Sequence, residues 1–140
     1  MALIADSGAI YALYDAHDHH HSAVAAIVQN EKGTIVIPMA ILAEIDYLLR
    51  VRLGNRALAR FLEGIEVGGF TLEPFTPQDV TRCQTLLKTY ADLDLGLADA
   101  SVIAAAERKG VRRILTVDLR DFRAVRASDG QPFTLLPADA

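Results

Sequence analysis

The chain has 140 residues, 51% of them apolar and 23% charged, enough for one domain that buries roughly two thirds of the surface its unfolded chain exposes. A net charge of −4 excludes a protein that clings to nucleic acid by bulk electrostatics, although an acidic site with a local arginine rim remains compatible with a nuclease. No repeat or low-complexity stretch suggests a second unit, so residues 1–140 are expected to form a single domain.

The first strand is expected at Ala2 to Ala5, followed by helices over Ser7 to Tyr14 and about Ser22 to Asn30. A second strand at Thr34 to Ile37 leads into a helix over Pro38 to Leu53 with proline in its first turn, and a further helix covers Arg56 to Glu66. Phe70 to Phe75 is the third strand candidate, and Pro77 to Tyr90 the next helix. The helix from about Leu97 to Lys109 is closed by Gly110, and strands follow at Arg113 to Val117 and, more weakly, at Pro132 to Leu136. This alternation predicts an α/β fold: a mainly parallel, twisted sheet of 4–5 strands between helical layers. In such sheets ligands bind beyond the carboxyl ends of the strands.

The longest apolar run, Ile35 to Ala43, is interrupted by Pro38 and is far short of the ~20 residues that span a bilayer. The opening MALIADSG has no basic segment and meets an acid at Asp6, unlike a secretory signal. These features predict a cytoplasmic protein without a membrane segment. The single cysteine, Cys83, shares a helical register with Val80, Leu86, Leu87 and Tyr90 and is expected in the core.

Four acids stand where a folded chain would not place a charge without reason. Asp6 follows the first strand directly, and Asp118 follows the buried run Ile114 to Val117. Glu44 has Ala40, Ile41, Tyr47 and Leu48 one turn away, while Asp99 has Leu95, Gly96, Val102 and Ile103. Both helical acids are therefore expected to project from the packed stripe with no local basic partner. Asp46 is the contrast, because Arg50 at i+4 supplies an ordinary ion pair. An ionised carboxylate in an apolar setting costs several kcal/mol unless a cation or donors meet it. A divalent metal is the economical partner. Hard oxygen ligands favour Mg²⁺ or Mn²⁺, and no Cys/His set with zinc spacing competes. Each acid alone reads equally well as a cap, a strand-end turn or a surface charge.

Two other features compete for a role. The stretch HDHHH, His17 to His21, is expected in a loop and the first turn of a helix, with His21 packed or hydrogen-bonded and the others facing water. Arg52, Arg56 and Arg60 recur every four positions, and Arg120, Arg123 and Arg126 every three. Either set reads as a solvated face. The second adjoins Asp118, so Arg120 and Arg123 are candidates for phosphate contact.

The stretches IADSGAIYALYDAHDHHHSAV, ILAEIDYLLR, LGLADASVIAAAERKG and ILTVDLRDF together resemble the signature blocks of PIN-domain ribonucleases, and more narrowly the VapC toxins of VapBC toxin–antitoxin systems. The resemblance implies a three-layer α/β/α sandwich and a Mg²⁺-dependent endoribonuclease that leaves a 5′-phosphate and a 3′-hydroxyl. It implies Asp6 and Asp99 as primary metal ligands, Glu44 and Asp118 as supporting acids, and Ser7 and Thr116 as small polar groups beside them. It also implies a cognate VapB antitoxin, a homodimer, and a structured RNA target, either transfer RNA or the sarcin–ricin loop of ribosomal RNA. The apolar faces of the Arg56 to Glu66 and Pro77 to Tyr90 helices are the expected pairing surfaces.

Two alternatives fit the residues less well. A haloacid-dehalogenase type phosphotransfer enzyme wants a second Asp at position 8, which is Gly, and a receiver domain wants an acidic pair before a middle-strand Asp. A PIN-type module that binds RNA or protein without cutting would not need all four acids.

Overall fold

A computed structural model describes residues 1–140 as five strands and seven α-helices: β1 Ala2–Ala5, α1 Ser7–Tyr14, α2 His21–Asn30, β2 Thr34–Pro38, α3 Leu42–Leu53, α4 Asn55–Glu66, β3 Thr71–Glu73, α5 Pro77–Thr89, α6 Leu97–Lys109, β4 Arg113–Leu115, α7 Leu119–Ala124 and β5 Thr134–Leu136. The strands form one sheet in the order β3-β2-β1-β4-β5, and every pairing is parallel. The chain moves from β1 to β3 towards one edge, then crosses back over β2 and β1 through α5 and α6 to reach β4. With right-handed crossovers this leaves helices on both faces, the three-layer sandwich expected from the alternation of elements. The reversal of direction falls between β1 and β4, so the crevice at their carboxyl ends is the natural ligand position.

Leu3, Ile4 and Ala5 are fully buried, as a central strand covered on both faces demands, and Ile35, Val36 and Ile37 behave alike. Complete burial of each such aliphatic side chain contributes about 1.5–3 kcal/mol. Helix α6 is the most enclosed: Ala100 to Ala106 are all buried, and small side chains let it lie close to β1 and β2. Gly110, at φ 68°, ends it in the left-handed conformation.

The Pro77–Thr89 helix starts with a reciprocal cap, in which the Thr76 hydroxyl accepts the Asp79 amide at 3.2 Å and the Asp79 carboxylate accepts the Thr76 amide at 3.0 Å. Arg108 from α6 reaches the same carboxylate, with Nε 2.8 Å from Asp79 Oδ1, and also Glu73 on β3 at 2.5 Å. One guanidinium thus locks β3, α5 and α6 together.

Two expectations need correction. Pro38 closes β2, paired with Glu73, and a 3-10 turn over Met39–Ile41 separates it from the helix it was expected to start. Residues 119–124 form a helix that the sequence pattern did not foretell. Helix α5 turns Cys83 and Leu86 of its apolar face onto α6, leaving Val80 exposed for pairing. On α4, Phe61 is buried and Leu62 stays exposed.

No helix is long and apolar enough to cross a membrane.

Candidate metal centre

Strand β1 ends against β4, where the Asp6 amide donates to the Leu115 carbonyl at 2.9 Å. Its side chain turns back as the N-cap of α1, with Oδ1 accepting the Ser7 amide at 2.8 Å. The other oxygen, Oδ2, accepts the Thr116 hydroxyl at 3.1 Å. Asp6 is therefore buried yet not orphaned. Gly8 packs closely here, since a Cβ there would sit 3.3 Å from Val117 Cγ2.

The Thr116 oxygen also accepts the Asp118 amide at 3.0 Å, which fixes the turn by which Asp118 leaves β4. The Ser7 hydroxyl donates to Glu44 Oε1. Ser7 and Thr116, both buried, thus act as struts that orient Asp6, Glu44 and the Asp118 backbone. Glu44 itself is exposed, whereas the sequence placed it on an inward stripe. Its neighbours explain this: Ile45 and Leu49 take the buried face of α3, and Glu44 stands with exposed Tyr47 outside it. Asp99 lies in the first turn of α6, half-buried.

A fifth acid joins this group. Asp99, Asp118 and Asp121 bring one carboxylate oxygen each within 4.8 Å of one another. Asp121 went unnoticed in the sequence because α7 did, yet its position three residues after Asp118 is the spacing that puts two side chains on one helical face.

Electrostatics reports the crowding. Burial first, then the charges of Asp6, Asp118, Asp121 and Glu44, push the Asp99 carboxyl up to about 7 from its ordinary 3.8. Burial likewise raises Asp6 to about 6, against the lowering influence of the Ser7 amide and the Thr116 hydroxyl, while Glu44 and Asp118 add to the rise. The charges that chiefly perturb Asp99 are all acids. The donor set is all carboxylate oxygen, without His or Cys, and fits a hard divalent cation.

The remaining candidates separate cleanly. The Asp46 carboxylate pairs with Arg50 at 3.4 Å and stays outside the site. Arg52 lies over the Tyr11 ring at 5.2 Å, so this arginine packs on α1. Arg123 pairs with Asp139 through two bonds, 2.8 and 2.5 Å, with its side chain 46% exposed. Arg120 remains exposed on α7, between Asp118 and Asp121 in sequence. Of the histidines, His21 Nδ1 lies 2.8 Å from the Ala12 carbonyl oxygen, and His17, His19 and His20 are exposed.

A parallel sheet with acids gathered beyond the carboxyl ends of β1 and β4 defines an α/β class whose acidic site could hold a metal, and residues 3–128 match the PIN domain family. Over 135 residues, 96% of this chain and 100% of the relative, the sequence is 31% identical to ribonuclease VapC26 of Mycobacterium tuberculosis. The chain belongs to the PIN-domain family and, within it, to the VapC ribonucleases. The fold is similar to that of VapC20 of M. tuberculosis, a sarcin–ricin loop cleaving toxin, with a TM-score of 0.79 at 22% identity over 93% of this chain and 99% of that one. It is also similar to VapBC2 of Rickettsia felis, solved with a promoter DNA fragment, with a TM-score of 0.66 at 15% identity over 89% and 93% of the two chains.

Proposed function

We propose that this protein is a Mg²⁺-dependent endoribonuclease, with Mn²⁺ as a substitute, and the toxin of a VapBC-type pair. The observation that carries the reading is the gathering of Asp99, Asp118 and Asp121 within 4.8 Å of one another, with Asp6 and Glu44 near enough that their charges also raise the Asp99 carboxyl. Asp6, Asp99, Glu44 and Asp118 are the catalytic and metal-binding set, and Asp121 belongs with them. When bound, a divalent cation supplies charge neutralisation for a scissile phosphate and a lowered pKa for the attacking water.

The protein's own residues prepare that chemistry. The Ser7 amide and Thr116 hydroxyl hold the Asp6 carboxylate in one orientation, and the Ser7 hydroxyl holds Glu44. Asp99, pushed up to about 7, is partly protonated near neutral pH, which lowers the repulsion among the acids. Arg120 offers a fork for the phosphates flanking the cut.

The toxin assignment follows from family membership, with a VapB-type antitoxin as partner, structured RNA as substrate and the cytoplasm as the place of action. One continuous hydrophobic core supports treating residues 1–140 as a single domain. A homodimer would use exposed Leu62 of α4, together with Tyr47 and Val51 of α3.

The test is cleavage of purified transfer RNA and of a sarcin–ricin hairpin with Mg²⁺, comparing wild type with Asp6→Asn. Wild type should yield 5′-phosphate ends and the variant none. Equal cutting by the two, with contaminants excluded, removes the assignment.

A further inference from the structure

The HDHHH stretch takes no part in the acid cluster, yet the fold braces it against the cluster's flank. The Asp15 carboxylate accepts the His17 amide at 3.0 Å and the Asp18 carboxylate accepts the His20 amide at 2.8 Å. These local turns, with His21 held near Ala12, fix the start of α2 and leave His20 exposed at its N-cap position. His20 lines a cavity of about 280 Å³ together with Ala23, Thr116, Val117, Leu119 and Pro137.

Two of those walls belong to the acid site. Thr116 donates to Asp6, and Leu119 follows Asp118 and opens the helix that carries Asp121. The cavity therefore borders the acid site, sharing with it the Thr116 side chain and the turn of backbone that carries Asp118. No carboxylate lines the cavity, so the acids' repulsion of anions gives way here to an apolar surface with one imidazole. Its volume lies just below the roughly 300–1,000 Å³ of pockets that hold whole small-molecule ligands. A flat heteroaromatic ring suits it better than a phosphate or a sugar.

We propose that this cavity receives the base of the nucleotide adjoining the scissile phosphate, with His20 stacking on it or hydrogen-bonding its edge. The inference rests on the endoribonuclease reading and adds to it a specificity residue. A base lodged here has left its helical stack, so the RNA must be unpaired at that position, in a loop or at an end. Protein side chains of this kind bind bases by their π-faces and by edge contacts, and His is among them.

The test uses a hairpin RNA pool with a randomised loop, incubated with Mg²⁺ and sequenced at the cut ends, for wild type, His20→Ala and Ala23→Trp. Ala23 is exposed, so the larger ring fills the cavity without disturbing the core. Wild type should prefer particular bases beside the cut. Ala23→Trp should flatten that preference and slow cutting about tenfold, the scale of one lost stacking contact, and His20→Ala should alter the preference. Both should keep the wild-type rise in melting temperature with Mn²⁺. Identical cut sites, base preference and rates in all three proteins would overturn the base pocket and leave the nuclease reading intact. If wild type cuts nothing, the nuclease reading falls, and binding of the fluorescein-labelled pool decides the pocket. Roughly tenfold weaker binding by Ala23→Trp then supports it, and equal binding overturns it.

Discussion

The Thr116 hydroxyl donates to Asp6 Oδ2 at 3.1 Å while its oxygen accepts the Asp118 amide at 3.0 Å, so one side chain on the sheet's carboxyl edge couples the acid that ends β1 to the acid beyond β4. Thr116→Val keeps the shape and removes both bonds. It leaves a buried carboxylate with one donor fewer and an amide without a partner, a loss of about 1–3 kcal/mol. Thermal melts should show the drop, and a Mn²⁺ titration should show weaker binding as Asp6 becomes harder to ionise. Thr116→Ser should restore both. Wild-type metal affinity in Thr116→Val would mean the hydroxyl does not position Asp6.

Crowding of acids has a cost when no cation is present. The Asp99 carboxyl is pushed up to about 7 by burial and by four neighbouring acids. Asp99→Asn should therefore raise the melting temperature in chelator, by about 2–5 °C, the shift that corresponds to up to about 1 kcal/mol in a domain of this size. The same variant should lose most of the stabilisation that wild type gains from millimolar Mn²⁺. A fall in chelator would show that Asp99 contributes packing or hydrogen bonding that outweighs the repulsion.

Much of this arrangement is legible in the sequence, and the exceptions share a cause. Ala2–Ala5, Ser7–Tyr14 and Leu97–Lys109 match their expected bounds because strand-end acids and a terminal glycine punctuate them. Asp6 and Asp118 stand out in the sequence because each directly follows an apolar run. Asp121 does not stand out, since the six-residue α7 is too short for a helical period to show. The Asp139 grip on Arg123 joins residues sixteen positions apart through a chain turn that no local pattern encodes. Pro38 reads as a helix start on local preference, but parallel pairing with β3 draws it into the sheet. Glu44 shows the limit of face arguments: its neighbours in sequence are apolar, but the group it meets, the Ser7 hydroxyl, comes from α1.

The two raised carboxyls make stability depend on pH in a defined direction. Asp6 at about 6 and Asp99 at about 7 both lie above their ordinary 3.8. Between about pH 4 and 7 the folded protein holds protons that the unfolded chain releases. The stability these groups contribute is complete below about pH 4 and is lost as pH rises through 6 and 7. Metal binding must displace those protons, so the Mn²⁺-induced rise in melting temperature should grow from pH 5.5 to pH 8. Melts in chelator and in Mn²⁺ across this range check both signs. A Mn²⁺ response that is flat with pH would place the cation away from Asp6 and Asp99.

Arg108 predicts the opposite pH behaviour at the other end of α6. Burial is the largest single influence on the Glu73 and Asp79 carboxyls and would raise them, but Arg108, together with Lys109 at Glu73 and the Thr76 amide at Asp79, outweighs it and holds both below the usual range. Arg108→Met leaves the Asp79 side chain, only 4% exposed, without its counter-ion. Loss of one partner from such a pair costs about 3 kcal/mol at neutral pH. Depressed carboxyls contribute stability above their ordinary values and lose it as pH falls, so the deficit of Arg108→Met should shrink towards pH 4, where Asp79 can take up a proton. Urea melts at pH 7 and pH 4 measure the difference. Arg108 lies about 14 Å along α6 from Asp99, at about 1.5 Å per residue, so cutting per folded molecule should stay at the wild-type rate. A deficit that is equal at both pH values would assign the loss to side-chain packing and not to charge.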